Sequence, residues 1–144
     1  MEGYNWMKVV DVMTKNPLVM TRGETIGQAD ALMTENRIRQ LPVVEGSALL
    51  GIITDRDVRS FLVNSSLHDP EERAKALKTE VGEVMTAAPL TVSPEDDLRD
   101  AVELLVEEKI GGIPVVDVAE GLVGIVTYVD VLRCFLNRLD EERP

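Results

Sequence analysis

Gly51-Ile52-Ile53-Thr54-Asp55-Arg56-Asp57-Val58 decides the reading of this chain, because Gly124-Ile125-Val126-Thr127-Tyr128-Val129-Asp130-Val131 repeats it. In both copies a glycine opens an apolar pair, a threonine closes it, and an aspartate follows three residues later. Upstream, Pro42-Val43-Val44 is answered by Pro114-Val115-Val116. Ala29, Leu32, Glu35 and Ile38 return as Ala101, Leu104, Glu107 and Ile110. Val12-Met13-Thr14 with Pro17-Leu18 returns as Val84-Met85-Thr86 with Pro89-Leu90. A two-fold internal repeat usually means two similar supersecondary units packed together, with something held between them.

The chain has 144 residues, one domain's worth, so each half alone would bury too little surface to be robust. Hydrophobic residues make up 44% and aromatics only 3%, which suits an aliphatic α/β core and excludes a disordered chain. A net charge of −11 argues against general affinity for nucleic acid, whose phosphates require a basic surface. A few local donors still suffice to hold a small anion. The single cysteine, Cys134, rules out an intramolecular disulfide and reads as a packed helix residue. No stretch has the roughly 18 apolar residues of a membrane span, and the N-terminus lacks a signal-peptide layout, so a cytoplasmic location is expected.

Thr21-Arg22-Gly23-Glu24 and Ser93-Pro94-Glu95-Asp96 read as helix N-termini, the second with proline at the first helical position. After them, Ile26, Ala29 and Met33, and Leu98, Ala101, Val102 and Leu105, fall at helical spacing. Both helices end near a basic residue, Arg37 or Lys109. Leu41–Val44 and Leu49–Ile53 read as a hairpin around Glu45-Gly46-Ser47. Ile113–Val118 and Leu122–Val126 read as its counterpart, and helices follow over Asp55–Leu62 and Tyr128–Leu139. Each unit is therefore β-α-β-β-α, with a short extended piece at Pro17–Met20 or Pro89–Val92. Asp69-Pro70-Glu71-Glu72 caps a polar linker helix reaching about Lys78. His68, before it, reads as a solvated surface residue, and Trp6 and Met7 as a packed lead-in.

The sequence holds no G-x-x-x-x-G-K-[ST] loop, G-x-G-x-x-G turn or H-E-x-x-H pair, and one histidine cannot build a histidine-rich metal site. Nothing near His68 suggests a nucleophile–base pair. The doubled Gly-h-h-Thr-x-x-Asp, with h apolar, is what remains. It sets a hydroxyl and a carboxylate beside the N–H groups of a helix N-terminus. The hydroxyl and amides suit a phosphate, and the carboxylate can accept from the two hydroxyls of a ribose. The same residues can simply cap a helix. Their occurrence twice, each time after the same Pro-Val-Val hairpin, favours the ligand.

These motifs resemble the cystathionine-β-synthase (CBS) domain family in its tandem arrangement, the Bateman module. The carriers are Asp11-Val12-Met13-Thr14 and Glu83-Val84-Met85-Thr86, then Arg37–Val44 and Lys109–Val116, then the two Gly-h-h-Thr-x-x-Asp segments. The resemblance implies an α/β fold of two β-α-β-β-α repeats related by pseudo-two-fold symmetry, with a cleft between them. It covers residues 7–65 as a first CBS domain and 77–138 as a second, joined by a linker helix at 66–76. Within the family the chain is similar to small acetoin-utilisation-type regulators, here expected to lack their C-terminal extra domain.

Members bind AMP, ADP, ATP or S-adenosylmethionine, so the resemblance implies composite sites for an adenosine-containing ligand. The first would use Thr54, Arg56 and Asp57, with Thr86, Leu90, Ile110, Gly111 and Pro114 lining the adenine. The second would use Thr127 and Asp130 with Thr14, Leu18, Ile38, Arg39 and Pro42. Arg56, a planar donor, faces a phosphate or else pairs with Asp55 or another surface carboxylate. Its counterpart Val129 cannot do either, so the Asp57 site is ranked first for a nucleotide phosphate. The second site faces Arg39, where many relatives have a small residue; this side chain reaches a phosphate, stacks on a base or simply fills the pocket, and the second site stays open. The function implied is a non-enzymatic sensor that signals by conformational or oligomeric change. Such pairs commonly form homodimers, and the regulated partner is unknown. No metal, nucleic acid or membrane partner is expected. The alternatives are a structural dimerisation module without ligand and, ranked lower, a nucleotide-processing enzyme.

Overall fold

The computed structural model describes residues 7–65 and 69–143. In chain order the first elements are β1 (Thr14–Lys15), β2 (Met20–Thr21), α1 (Ile26–Asn36), β3 (Gln40–Glu45), β4 (Ala48–Thr54) and α2 (Asp55–Asn64). They are followed by α3 (Pro70–Leu77), β5 (Thr86–Ala87), α4 (Leu98–Glu108), β6 (Gly112–Asp117), β7 (Gly121–Thr127) and α5 (Tyr128–Glu141). Short 3-10 turns at Val9–Asp11 and Val81–Glu83 precede β1 and β5. Fold class is mixed α/β, built from two copies of one repeat. His68 and Trp6 lie outside the described residues.

The chain divides into two compact units. The middle unit is Leu18–Pro89, and the terminal unit is the described part of Met1–Pro17 with that of Leu90–Pro144. Thus each unit takes one short strand, β1 or β5, from the other repeat. In the middle unit the sheet runs β2-β3-β4-β5, with β5 antiparallel to β4 and Thr86 opposite Ile52. In the terminal unit it runs β1-β7-β6, with Thr14 opposite Ile125. Val92 makes a parallel bridge to Val115 where the middle unit has β2 beside β3.

Each unit has its own core. Met20, Ile26, Leu41, Val43, Ile53 and Val58 are nearly solvent-free in the middle one; Val9, Ile113, Val115 and Val126 are fully buried in the terminal one. Burying such an aliphatic side chain contributes about 1.5–3 kcal/mol, so these clusters set the register of the strands on which the site residues stand. Ala76 of α3 also enters the middle core, so the helix read as a linker is partly a packing element.

Three local expectations are corrected. α1 begins at Ile26, not after Thr21: Thr25 Oγ1 accepts from Gln28 N at 3.2 Å, and Thr25 N donates to Gln28 Oε1 at 2.8 Å. Thr21 and Glu24 make a turn instead, because β2 still occupies Thr21. α4 likewise begins at Leu98, and Ser93–Asp96 is a turn in which Ser93 N donates to Asp96 Oδ2 at 2.8 Å. Tertiary bonds settle both starts: Ile26 N reaches Thr79 O and Leu98 N reaches Met7 O, each at 2.9 Å. Finally, β6 stops at Asp117, whose Oδ1 accepts from Ala119 N and Glu120 N, a turn that leaves Val118 in solvent.

α1 and α4 end at Arg37 and Lys109, both left-handed with φ of 54° and 53°. No helix among the described residues is long and apolar enough to cross a membrane.

Candidate functional site

The Thr-x-x-Asp segments sit at the two strand-to-helix junctions. Thr54 ends β4 and is the N-cap of α2, and Asp57 is its third helical residue. Thr54 Oγ1 accepts from Asp57 N at 3.1 Å, while Thr54 N donates to Asp57 Oδ2 at 3.0 Å. Thr127 and Asp130 repeat this reciprocal box at the start of α5, at 3.3 and 2.9 Å. Both segments therefore cap a helix, and capping leaves carboxylate oxygens beside the helix N-terminus, where the dipole favours an anion.

The preceding loop is tied to each junction. Asp55 N donates to Arg39 O at 3.0 Å, and Tyr128 N to Gly111 O at 3.2 Å. Glycines in the middle of β4 and β7 admit the short strands. A Cβ on Gly51 would stand 2.6 Å from Thr86 O and from Met85 Sδ; one on Gly124 would stand 2.8 Å from Thr14 O and 2.7 Å from Met13 Sδ. That contact places Thr86 in the unit of Thr54 and Asp57, and Thr14 in that of Thr127 and Asp130.

The middle unit thus gathers Thr54, Arg56, Asp57 and Thr86, together with Leu18, Ile38, Arg39 and Pro42. The terminal unit gathers Thr14, Thr127 and Asp130, together with Leu90, Ile110, Gly111 and Pro114. Leu18 and Leu90 are exposed, Ile38 and Ile110 half-buried, and Pro42 and Pro114 buried in their strands. Arg56 is exposed and makes no ion pair among the described residues, whereas Asp55 pairs with Arg59 at 3.8 Å.

The boxes differ in one bond. Thr14 Oγ1 donates to Asp130 Oδ1 at 2.9 Å, and no described counterpart joins Thr86 to Asp57. The sequence groups Thr14 with Asp130 but does not announce this bond, since the same residue types at Thr86 and Asp57 do not form it. Sequence reading missed Arg37. With Ile38, Arg39 and Asp55, Arg37 lines a cavity of about 280 Å³, and its place there follows from a left-handed turn that no glycine announces. A cavity of about 290 Å³ in the terminal unit is lined by Met7, Asp130, Arg133 and Cys134, among others. Half-buried Cys134 packs its Sγ 4.0 Å from Met7 Sδ. Among the described residues no cluster of His, Cys, Asp and Glu could hold a metal ion.

A repeated α/β unit with a capped Thr-x-x-Asp at each strand-to-helix junction defines a class of paired domains. The chain belongs to the CBS domain family, whose model matches residues 9–64 and 81–137. It is 32% identical over 134 residues to the CBS domain-containing protein YhcV of Bacillus subtilis, covering 93% of this chain and 87% of that one. It is also 32% identical over 125 residues to MJ1225 of Methanocaldococcus jannaschii, covering 81% of this chain but spanning only 45% of that one. Among solved structures it is similar to a putative acetoin utilization protein (AcuB) from Vibrio cholerae, with TM-score 0.80, 34% identity and coverage of 96% and 98%. Arabidopsis thaliana CBSX2 in complex with AMP has TM-score 0.76, 33% identity and coverage of 90% and 96%. The CBS domain pair of MJ0100, in complex with 5′-methylthioadenosine and S-adenosyl-L-methionine, has TM-score 0.77, 27% identity and coverage of 92% and 98%. The chain is thus a tandem CBS pair, similar to AcuB-like proteins.

Proposed function

We propose that this protein is a non-enzymatic cytoplasmic sensor that binds an adenosine-containing ligand and signals through a change in packing or assembly. The observation that carries the reading is the Thr54–Asp57 box. It offers a half-buried carboxylate with acceptor capacity to spare, an exposed arginine next to it, and a helix N-terminus. The carboxylate suits ribose hydroxyls and Arg56 a phosphate. Relatives solved with AMP and with S-adenosyl-L-methionine support the ligand class.

In this reading Asp57 accepts from the ribose, Thr54 and Thr86 border it, and Arg56 holds the phosphate. The second site uses Asp130, Thr127 and Thr14. Signalling requires that the ligand bind one arrangement of the protein better than another.

A homodimer supplies such an arrangement. Val129, Leu132, Leu136 and Leu139 of α5 are about half exposed and recur at three- and four-residue spacing, with exposed Phe135 alongside. That is the spacing of a helix seam that packs on another helix.

A thermal-shift series with AMP, ADP, ATP and S-adenosylmethionine, with GMP as control, tests the ligand. A bound ligand at 100 times its Kd stabilises the fold by about 2.7 kcal/mol and raises Tm. A flat response to the whole series would instead support a dimerisation module without ligand. ATP turnover by the purified protein, lost in Thr54→Ala, would support an enzyme.

A further inference from the structure

The two aspartates of the repeated box are not equally available. Asp130, 8% exposed, accepts Thr14 Oγ1 on Oδ1 at 2.9 Å, and Thr127 N and Thr127 Oγ1 on Oδ2 at 2.9 and 3.0 Å. Asp57 accepts only Thr54 N, on Oδ2 at 3.0 Å, among the described residues. An ionised carboxylate has about four lone-pair sites. Two hydroxyls of a ribose therefore fit Asp57 as it stands, whereas at Asp130 they find room for one. The difference does not come from strand position. Thr14 opposite Ile125 and Thr86 opposite Ile52 hold equivalent registers, and Asn16 and Ala88 turn the chain after them with φ of 49° and 47°.

We infer that Thr14 sets the order in which the two sites fill: its hydroxyl satisfies Asp130 internally, so ribose goes first to Asp57. The inference rests on the adenosine-ligand reading and adds to it a residue that ranks the sites. At Asp130 the second ribose hydroxyl must replace an existing charge-assisted bond, so for it one bond is exchanged for another. At Asp57 the ribose bonds displace only water, and their contribution is kept.

Calorimetric titration with AMP of wild type, Thr14→Val and Thr14→Ser tests this, each also made in an Asp57→Ala background. Thr14→Val removes the hydroxyl at nearly constant shape, and Thr14→Ser keeps it, so a packing defect and a hydrogen-bond effect separate. The expected result is one strong site per wild-type chain, lost in Asp57→Ala. Thr14→Val should tighten the remaining weak site about 10-fold, and Thr14→Ser should not. Equal behaviour of the valine and serine variants, or a strong wild-type site that survives Asp57→Ala, would overturn the ranking while leaving the ligand reading intact. Absence of binding by every variant to AMP, ADP, ATP and S-adenosylmethionine would overturn both.

Discussion

The middle and terminal units carry the same box at the same junction, yet their aspartates are engaged differently. Asp130 is buried and accepts three hydrogen bonds, one from a threonine at the far end of the sequence. Asp57 is half-buried and accepts one among the described residues. Around them the charges differ too, with Arg56 against Val129 and Arg39 against Gly111. Backbone duplication is close to complete, down to matching bulges after Val43 and Val115. The lesson is that a repeat can keep its scaffold while its polar groups are reassigned.

The sharpest way to break this comparison is to remove the acceptors one at a time. Asp57→Ala should weaken AMP binding about 100-fold, the effect of losing two hydrogen bonds to a charged group. Matching losses from Asp57→Ala and Asp130→Ala, measured by calorimetry, would erase the proposed inequality. The scaffolds, in contrast, should respond alike. Gly51→Ala and Gly124→Ala each push a Cβ into a backbone carbonyl of the neighbouring strand, and each should cost about 1–3 kcal/mol in urea denaturation. A loss confined to one of them would show that the short strands are not equivalent supports.

Smaller effects sharpen the chemistry. Arg56→Ala should weaken AMP about 10-fold and leave adenosine nearly unaffected, because only AMP offers the guanidinium a phosphate. Equal losses for both ligands in parallel titrations would take Arg56 out of the phosphate role. Smallest of all, Arg37→Gly and Lys109→Gly should each stabilise the fold by about 0.5–1 kcal/mol, since both residues occupy left-handed backbone that glycine adopts without strain. Melting curves that fall in both variants would mean their side chains matter more than the turn.

Much of the fold was legible in the sequence because the repeat doubles every local signal. The hairpins, the four helices flanking them and the placement of Thr54, Asp57, Thr127 and Asp130 all follow from apolar periodicity and turn residues. The helix starts were misplaced because Thr21–Glu24 and Ser93–Asp96 carry capping patterns that the protein uses as turns. Backbone bonds donated by Ile26 and Leu98 to the carbonyls of Thr79 and Met7, distant in sequence, decide where α1 and α4 begin. The strand exchange was partly legible, since the family resemblance already grouped Thr14 with Asp130 and Thr86 with Asp57. The Thr14–Asp130 bond was not, because identical residue types at Thr86 and Asp57 do not form it. Only side-chain geometry distinguishes the two pairs.

Native mass spectrometry of the purified chain titrated with AMP tests the central claim most directly. The account predicts a first adduct of one AMP per chain at low ligand concentration and a second only at a markedly higher one. Two adducts filling together would contradict the ranking of the sites, and the absence of any adduct with AMP, ADP, ATP or S-adenosylmethionine would contradict the assignment of an adenosine-binding pair.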